Sequence, residues 1–227
     1  MDTTAKLTFL EQLPLFDVLT SDEKRQLASM IEIRKKSKHA YFYQAGDHSD
    51  SIYFLSKGVI KIGTHSNDGK EVIKAILHPL AIFGELCLVG ERERPDFAKA
   101  MGTEVTCFVI RASQFRRLMQ SNYQLSTRIL HRLGERLRRT ERRLEALVFK
   151  DARTRIIDFI KESASKRGMR IGIDETLVKH TLTQQDIANI TGTSRQTVTS
   201  VLNELKKLNL IHFNRRSILI RDLAGLT

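Results

Sequence analysis

The sequence predicts an α+β chain: a small antiparallel β-structure, then a long amphipathic helix, then a winged helix-turn-helix. Three observations carry this reading. Seven of the twelve glycines and all three prolines precede residue 112, where they separate the short apolar runs Ile52 to Leu55, Val59 to Ile62, Val72 to Leu77 and Val105 to Ile110, the punctuation of turns between strands. Beyond that point proline is absent, and Leu130, Leu133, Leu137, Thr140, Leu144 and Leu147 recur at spacings of three and four, a heptad pattern. Thr183 to Leu205 then has the cap, turn and apolar spacing of two short helices meeting at a tight angle.

Taken in order, Ser21-Asp22-Glu23-Lys24 reads as the start of a short helix, with Ser21 as its cap and acids in the first turn. Cys87 and Cys107 lie in apolar, strand-like stretches and read as buried reduced thiols. No iron-sulfur or zinc ligand pattern accompanies them. The leucine stripe is narrow because Arg128, Arg132, Arg136, Arg138, Arg139, Arg142 and Arg143 crowd the other faces. Pairing with the same helix of a second copy buries the leucines and leaves the arginines in water; packing on the chain's own domain is the alternative. Asp151 reads as the cap of a following helix, Arg153 to Ser165, whose core face is Ile156, Ile157, Phe159 and Ile160, with Gly168 as its left-handed terminator.

Charge divides the chain. Residues 1–112 carry 15 Lys/Arg against 15 Asp/Glu, residues 113–150 carry 10 against 3, and residues 151–227 carry 13 against 8. A neutral part joined to a basic one fits a polyanionic partner, nucleic acid first. No apolar run approaches the roughly 18 residues of a membrane span, and the amino terminus lacks a basic stretch followed by a long apolar one, so a cytoplasmic protein is expected. A catalytic role finds no support: there is no nucleophile with a partnered base, no phosphate loop and no dinucleotide fingerprint.

Within the helix-turn-helix, Thr183 and Asp186 form a short capping arrangement, Ala188 keeps the helix contact small, Gly192 supplies the positive φ of the turn, and Ser194 caps the second helix. Val198, Val201, Leu202 and Leu205 then face inward, leaving Arg195, Gln196, Thr199 and Ser200 outward where a helix in the major groove meets base edges. Leu210 to Phe213, the turn Asn214-Arg215-Arg216 and Ser217 to Ile220 read as a two-stranded wing with a basic tip.

With Pro14-Leu15-Phe16, Tyr43-Gln44-Ala45-Gly46-Asp47, Gly58-Val59-Ile60-Lys61 and Phe83-Gly84-Glu85-Leu86 added to these pieces, the sequence resembles the cyclic AMP receptor protein and fumarate-nitrate regulator (CRP/FNR) superfamily over nearly its whole length. The resemblance implies a β-roll sensor (a double-stranded β-helix) over residues 1–112, a dimerisation helix over 113–150 and a winged helix-turn-helix domain over 151–227. It implies a homodimer on a near-palindromic double-stranded DNA operator, recruiting or obstructing RNA polymerase. Arg195 and Gln196 then read bases, while Thr183, Gln185, Ser194, Thr197, Asn214 and Arg216 touch phosphates. Ser200 departs from the arginine often found there. A regulatory module of a larger signalling assembly, without its own operator, is the alternative.

The same resemblance bears on an effector. Gly84, Glu85, Leu86 and Arg94 match the cassette in which cyclic-nucleotide binders hold ribose and phosphate, and Thr140 matches the residue that approaches the base. Glu141 stands where the cyclic AMP receptor has serine. Pro95 supplies neither N–H nor hydroxyl, and Asp96 sets a negative charge beside the phosphate position. Three readings stay open: cyclic AMP, an internal Glu85–Arg94 ion pair bracing an empty roll, and haem with His78 as ligand.

Overall fold

The computed structural model describes residues 3–172 and 174–226. The chain forms two compact units, one built on residues up to His65 and Lys74–Arg138, the other on Ser66–Ile73 and the chain from Arg139 onward.

The first unit opens with α1 (Thr3–Glu11), a short 3₁₀ turn (Pro14–Phe16) and α2 (Ser21–Met30). The cap of α2 is Thr20, one residue ahead of the expected Ser21. Its hydroxyl accepts from the Glu23 N–H while the Glu23 carboxylate accepts from the Thr20 N–H, so the reciprocal box selects the residue three before a glutamate. Eight strands follow: β1 (Glu32–Ser37), β2 (Tyr41–Tyr43), β3 (Ser51–Lys57), β4 (Ile60–His65), β5 (Glu71–Leu77), β6 (Ile82–Phe83), β7 (Phe97–Ala100) and β8 (Glu104–Arg111). They form two four-stranded sheets, ordered β1-β8-β3-β6 and β2-β7-β4-β5.

Strand alternation explains how one sheet serves two cores. Ile52 and Phe54 of β3, with Phe108 and Ile110 of β8, turn toward a helical layer of Leu10, Phe16, Leu27, Phe115, Leu125 and Ile129. Tyr53 and Leu55, with Val105, Cys107 and Val109, turn the other way onto Phe42, Ile60, Ile62 and Ala98 of the second sheet. Strands buried on both faces read as unbroken apolar runs, which is why β3 and β8 stand out in the sequence. Both cysteines are buried and free. Burial pushes the Cys87 thiol up to about 11 and raises Cys107 as well, so both stay protonated at neutral pH.

The helix expected over 113–150 is two helices, α3 (Ala112–Ser121) and α4 (Tyr123–Phe149). Asn122 breaks it: its backbone is extended, its Oδ1 accepts from the Leu125 N–H at 3.0 Å, and its Nδ2 donates to Glu23 Oε1 at 3.1 Å. An asparagine that caps the next helix is favoured over one in a helix interior. No described helix is long and apolar enough to cross a membrane.

In the second unit α5 (Ala152–Arg167) begins at the Asp151 cap, which accepts from the Thr154 N–H at 2.7 Å. Its buried face is Ile156, Ile157, Ile160, Ser163 and Ala164, and Phe159 is only half-buried. Helices α6 (Gln184–Thr191) and α7 (Arg195–Lys207) follow, with a sheet ordered β11-β12-β10-β9 from β9 (Met169–Arg170), β10 (Thr176–Lys179), β11 (Ile211–Phe213) and β12 (Ser217–Ile220). The expected two-stranded wing is thus the outer half of a four-stranded sheet.

Gly168 does not terminate α5 by a left-handed residue, since its φ is −67°. It is needed for space: a Cβ there would lie 2.3 Å from Thr176 Cγ2 and 2.4 Å from the Ala164 carbonyl oxygen. Gly168→Ala should therefore lower stability by about 1–3 kcal/mol, the usual result of overpacking. The measurement is the midpoint of chemical unfolding of the full chain, and an unchanged midpoint contradicts the steric account.

Candidate nucleic-acid interface and the β-roll pocket

The turn between α6 and α7 is built from its caps. Thr183 accepts from the Asp186 N–H at 3.0 Å, and Asp186 Oδ2 accepts from the Thr183 N–H at 2.9 Å and lies 2.8 Å from its hydroxyl. The shorter aspartate thus closes the reciprocal box that glutamate usually makes. Gly192 adopts φ +64°, the left-handed conformation that favours glycine, and a Cβ there would lie 2.8 Å from Leu147 Cδ2. Ser194 Oγ then accepts from the Thr197 N–H at 3.0 Å and shares a 2.8 Å hydrogen bond with the Thr197 hydroxyl. Ala188, Val198, Val201, Leu202 and Leu205 are buried beneath.

Arg195, Gln196, Thr199 and Ser200 line one surface depression of about 680 Å³ at the amino-terminal end of α7, where the helix dipole favours a negative neighbour. Arg195, Gln196 and Ser200 are exposed, whereas Thr199 is half-buried. The Thr199 hydroxyl lies 2.7 Å from Gln184 Oε1 and 2.9 Å from the Arg195 carbonyl, so Gln184 anchors this face. Sequence inspection missed Gln184, because its partner lies on the next helix.

Among the residues assigned to phosphates, Thr183, Gln185, Ser194, Asn214 and Arg216 are exposed and Thr197 is half-buried. Gln185 Nε2 donates to Asn189 Oδ1 at 2.8 Å. At the wing tip Asn214 Oδ1 accepts from the N–H groups of Arg216 and Ser217 at 2.9 and 3.0 Å. This Asx turn fixes the loop and leaves the Arg215 and Arg216 side chains in solvent.

In the first unit, Gly84, Glu85, Leu86 and Arg94 gather around a 3₁₀ turn, Glu85–Val89, entered by Gly84 at φ +74°. Glu85 and Arg94 are 4% and 3% exposed. The expected Glu85–Arg94 ion pair is not what joins them. Glu85 Oε1 pairs with Arg136 Nη1 of α4 at 2.8 Å. Arg94 donates to the Gly84 carbonyl at 2.9 Å and the Ser51 carbonyl at 2.5 Å, approaches Glu91 Oε1 at 3.4 Å, and lies 4.5 Å over the Tyr43 ring. Burial alone would lower the Arg136 guanidinium, but the charge and hydrogen bond of Glu85, with Asp96 and Tyr43 behind them, together outweigh it and the net shift is upward. Burial raises the Tyr43 hydroxyl. Asp96, 4% exposed, is met by Lys74 Nζ at 3.1 Å.

Thr140 and Glu141 lie in the second unit and are exposed on α4. His78 is half-buried on the chain following β5, and no group of three potential metal ligands forms among the described residues. Of the heptad leucines, Leu130, Leu137, Leu144 and Leu147 are exposed, while Leu133 is partly buried against the helical layer of the first unit.

Comparison with known proteins meets this geometry at both ends. Residues 33–122 match the family model of the cyclic nucleotide-binding domain, and residues 154–227 match that of the Crp-like helix-turn-helix domain. The chain is 32% identical over 184 residues to a CRP-like cAMP-activated global transcriptional regulator of Mycobacterium tuberculosis, covering 81% of each. It is 29% identical to the cAMP-activated global transcriptional regulator Vfr of Pseudomonas aeruginosa, covering 86% of this chain and 91% of that one. Among solved structures, a CooA mutant from Carboxydothermus hydrogenoformans superimposes with a TM-score of 0.79 at 26% identity, over 93% of each chain. The two sequence relatives are transcriptional regulators, not enzymes. A cyclic-nucleotide-binding fold and a Crp-like helix-turn-helix in one chain, with that identity across four fifths of a known regulator, make this protein a member of the CRP/FNR superfamily of DNA-binding transcriptional regulators.

Proposed function

We propose that this chain acts as a cytoplasmic homodimer that binds a near-palindromic operator and controls access of RNA polymerase. The carrying observation is the end of α7, where Arg195, Gln196 and Ser200 stand exposed around a capped helix terminus. Arg195 suits a bidentate contact to guanine and Gln196 one to adenine. Thr183, Gln185, Ser194, Thr197, Asn214 and Arg216 supply phosphate contacts, which fix register without reading sequence. The exposed Leu130, Leu137 and Leu144 supply the apolar stripe of a helix pair.

A duplex selected by the protein from random DNA tests this reading. Arg195→Ala should weaken the selected duplex by roughly 10- to 100-fold while leaving random duplex almost unchanged. Arg216→Ala should weaken both alike and flatten the logarithmic salt dependence by about one unit. Equal, modest losses in the two variants contradict the division of labour. Replacing Leu137 and Leu144 together with serine should shift sedimentation from dimer to monomer at micromolar concentration, and an unchanged dimer contradicts the helix pairing.

Cyclic AMP does not fit the pocket in the mode that the superfamily resemblance implies. Arg94 is already engaged by two carbonyls and Glu91, Glu85 by Arg136, and Asp96 adds a buried carboxylate. Of the buried side-chain atoms here, Glu85 Oε2 and Arg94 Nε meet no hydrogen-bond partner. Pro95 adds neither N–H nor hydroxyl, and a phosphodiester anion has to displace two carbonyls and Glu91 to reach the Arg94 fork. Calorimetry should therefore show no saturable heat with cyclic AMP or cyclic GMP up to about 1 mM; micromolar binding of either overturns this reading of the pocket.

A further inference from the structure

Arg155, in the first turn of α5, is half-buried; its charge helps to hold the Asp151 carboxyl below its usual range, while its hydrogen bonds go to backbone carbonyls. Nη1 donates to the Lys150 carbonyl at 2.6 Å, where the chain leaves α4. Nε donates to the Thr191 carbonyl at 2.8 Å and Nη2 to the Gly192 carbonyl at 3.1 Å. Those two carbonyls end α6 and begin the turn into α7. Each helix end carries unsatisfied carbonyls and the negative end of a helix dipole, so a guanidinium placed between two such ends satisfies both at once. Its planar fork holds these carbonyls in one relative arrangement, which a flexible ammonium does not.

The same turn is gripped from its apolar side. Leu147, on the last turns of α4, lies so close to Gly192 that a Cβ there would be 2.8 Å from its Cδ2. Two independent contacts therefore tie the helix-turn-helix turn to the end of α4, one through polar backbone and one through a leucine of the heptad stripe. The turn sets where α7 begins and in which direction it points, because the Ser194 cap follows Gly192 by two residues.

We infer that Arg155 is a positioning residue that fixes the recognition helix against the end of α4, and through it the half-site spacing that a dimer accepts. The inference rests on the proposed dimeric reading of an operator. Paired recognition helices must enter successive major grooves about 34 Å apart, and one added base pair moves a half-site by about 3.4 Å and turns it by about 35°. A rigid joint rejects that displacement. A loosened joint follows it.

The test uses full-length protein, a duplex that wild type selects from random DNA, the same duplex with one base pair added to or removed from its centre, and a single half-site. Wild type should prefer the original spacing by about tenfold or more. Arg155→Met, which keeps the apolar stem but removes every donor, should bind the three spacings within about threefold of one another and bind the single half-site within about threefold of wild type. Retention of the wild-type spacing ratio by Arg155→Met, or an equal loss on half-site and palindrome, overturns the inference and leaves the dimeric reading standing. Indifference of wild type to spacing overturns both. Should Arg155→Met fail to fold by circular dichroism, Arg155→Lys, which keeps the charge but reaches one carbonyl at a time, is held to the same criteria.

Discussion

The ends of α5, α6 and α7 carry backbone N–H and C=O groups that no helix can satisfy for itself, and the second unit is organised by how each is met. Asp151, Thr183 with Asp186, and Ser194 take the amino-terminal N–H groups of the three helices. Arg155 takes the carbonyls at the end of α6 and at the exit from α4. An uncapped end here costs on the order of 1 kcal/mol, but the larger consequence is geometric. Both ends of α6 are tied by side chains, and α7, from whose amino-terminal end Arg195 and Gln196 project, starts from the turn held in this way.

A parallel constraint governs the first unit, where charge replaces backbone as the quantity that must be satisfied. Glu85, Arg94 and Asp96 are all below 5% exposed, and burying a lone charge is far costlier than burying a paired one. The chain meets them with Arg136, Glu91 and Lys74 and with the carbonyls of Ser51 and Gly84. Tyr43 lends its ring face to Arg94. These partners come from distant segments, so the cluster cross-links the roll to α4 through Glu85 and Arg136.

The fold was legible where one segment carried its own signal. Apolar runs marked β3, β4, β5 and β8, and the spacing of Thr183, Asp186, Gly192 and Ser194 marked the turn and both of its helices. The missed features depend on partners remote in sequence. Thr20 rather than Ser21 caps α2 because of Glu23; Asn122 breaks the long helix because it can cap α4 while bonding Glu23; Gly168 is required by Thr176, across a loop. At the candidate site the exposed residues of α7 were readable from helical period alone. Gln184, Arg136 and Arg155 were not, since a polar side chain gives no hint in sequence of which distant carbonyl or carboxylate it will meet. The supposed Glu85–Arg94 pair failed for the same reason: two opposite charges nine residues apart look like partners until Arg136 is brought to Glu85.

The leucine stripe of α4 has to serve two ends with different duties. Leu133 packs partly into the helical layer of the first unit, and Leu147 lies against Gly192 in the second. Between and around them Leu130, Leu137 and Leu144 are each at least 60% exposed, an arrangement that suits a partner helix. The arginines on the flanking faces oppose such pairing by like-charge repulsion, and that repulsion is screened over about 8 Å at physiological salt. Salt therefore acts oppositely on the two associations proposed for this chain. It weakens contacts between the basic domain and DNA phosphates by counterion release, while it relieves repulsion between paired arginine-rich helices and leaves burial of the leucines intact or strengthened. Dimerisation by an apolar stripe and DNA binding by exposed charge thus draw on separable forces, and the end of α4, where Leu147 and Lys150 meet the turn held by Arg155, is the point at which one can set the geometry of the other.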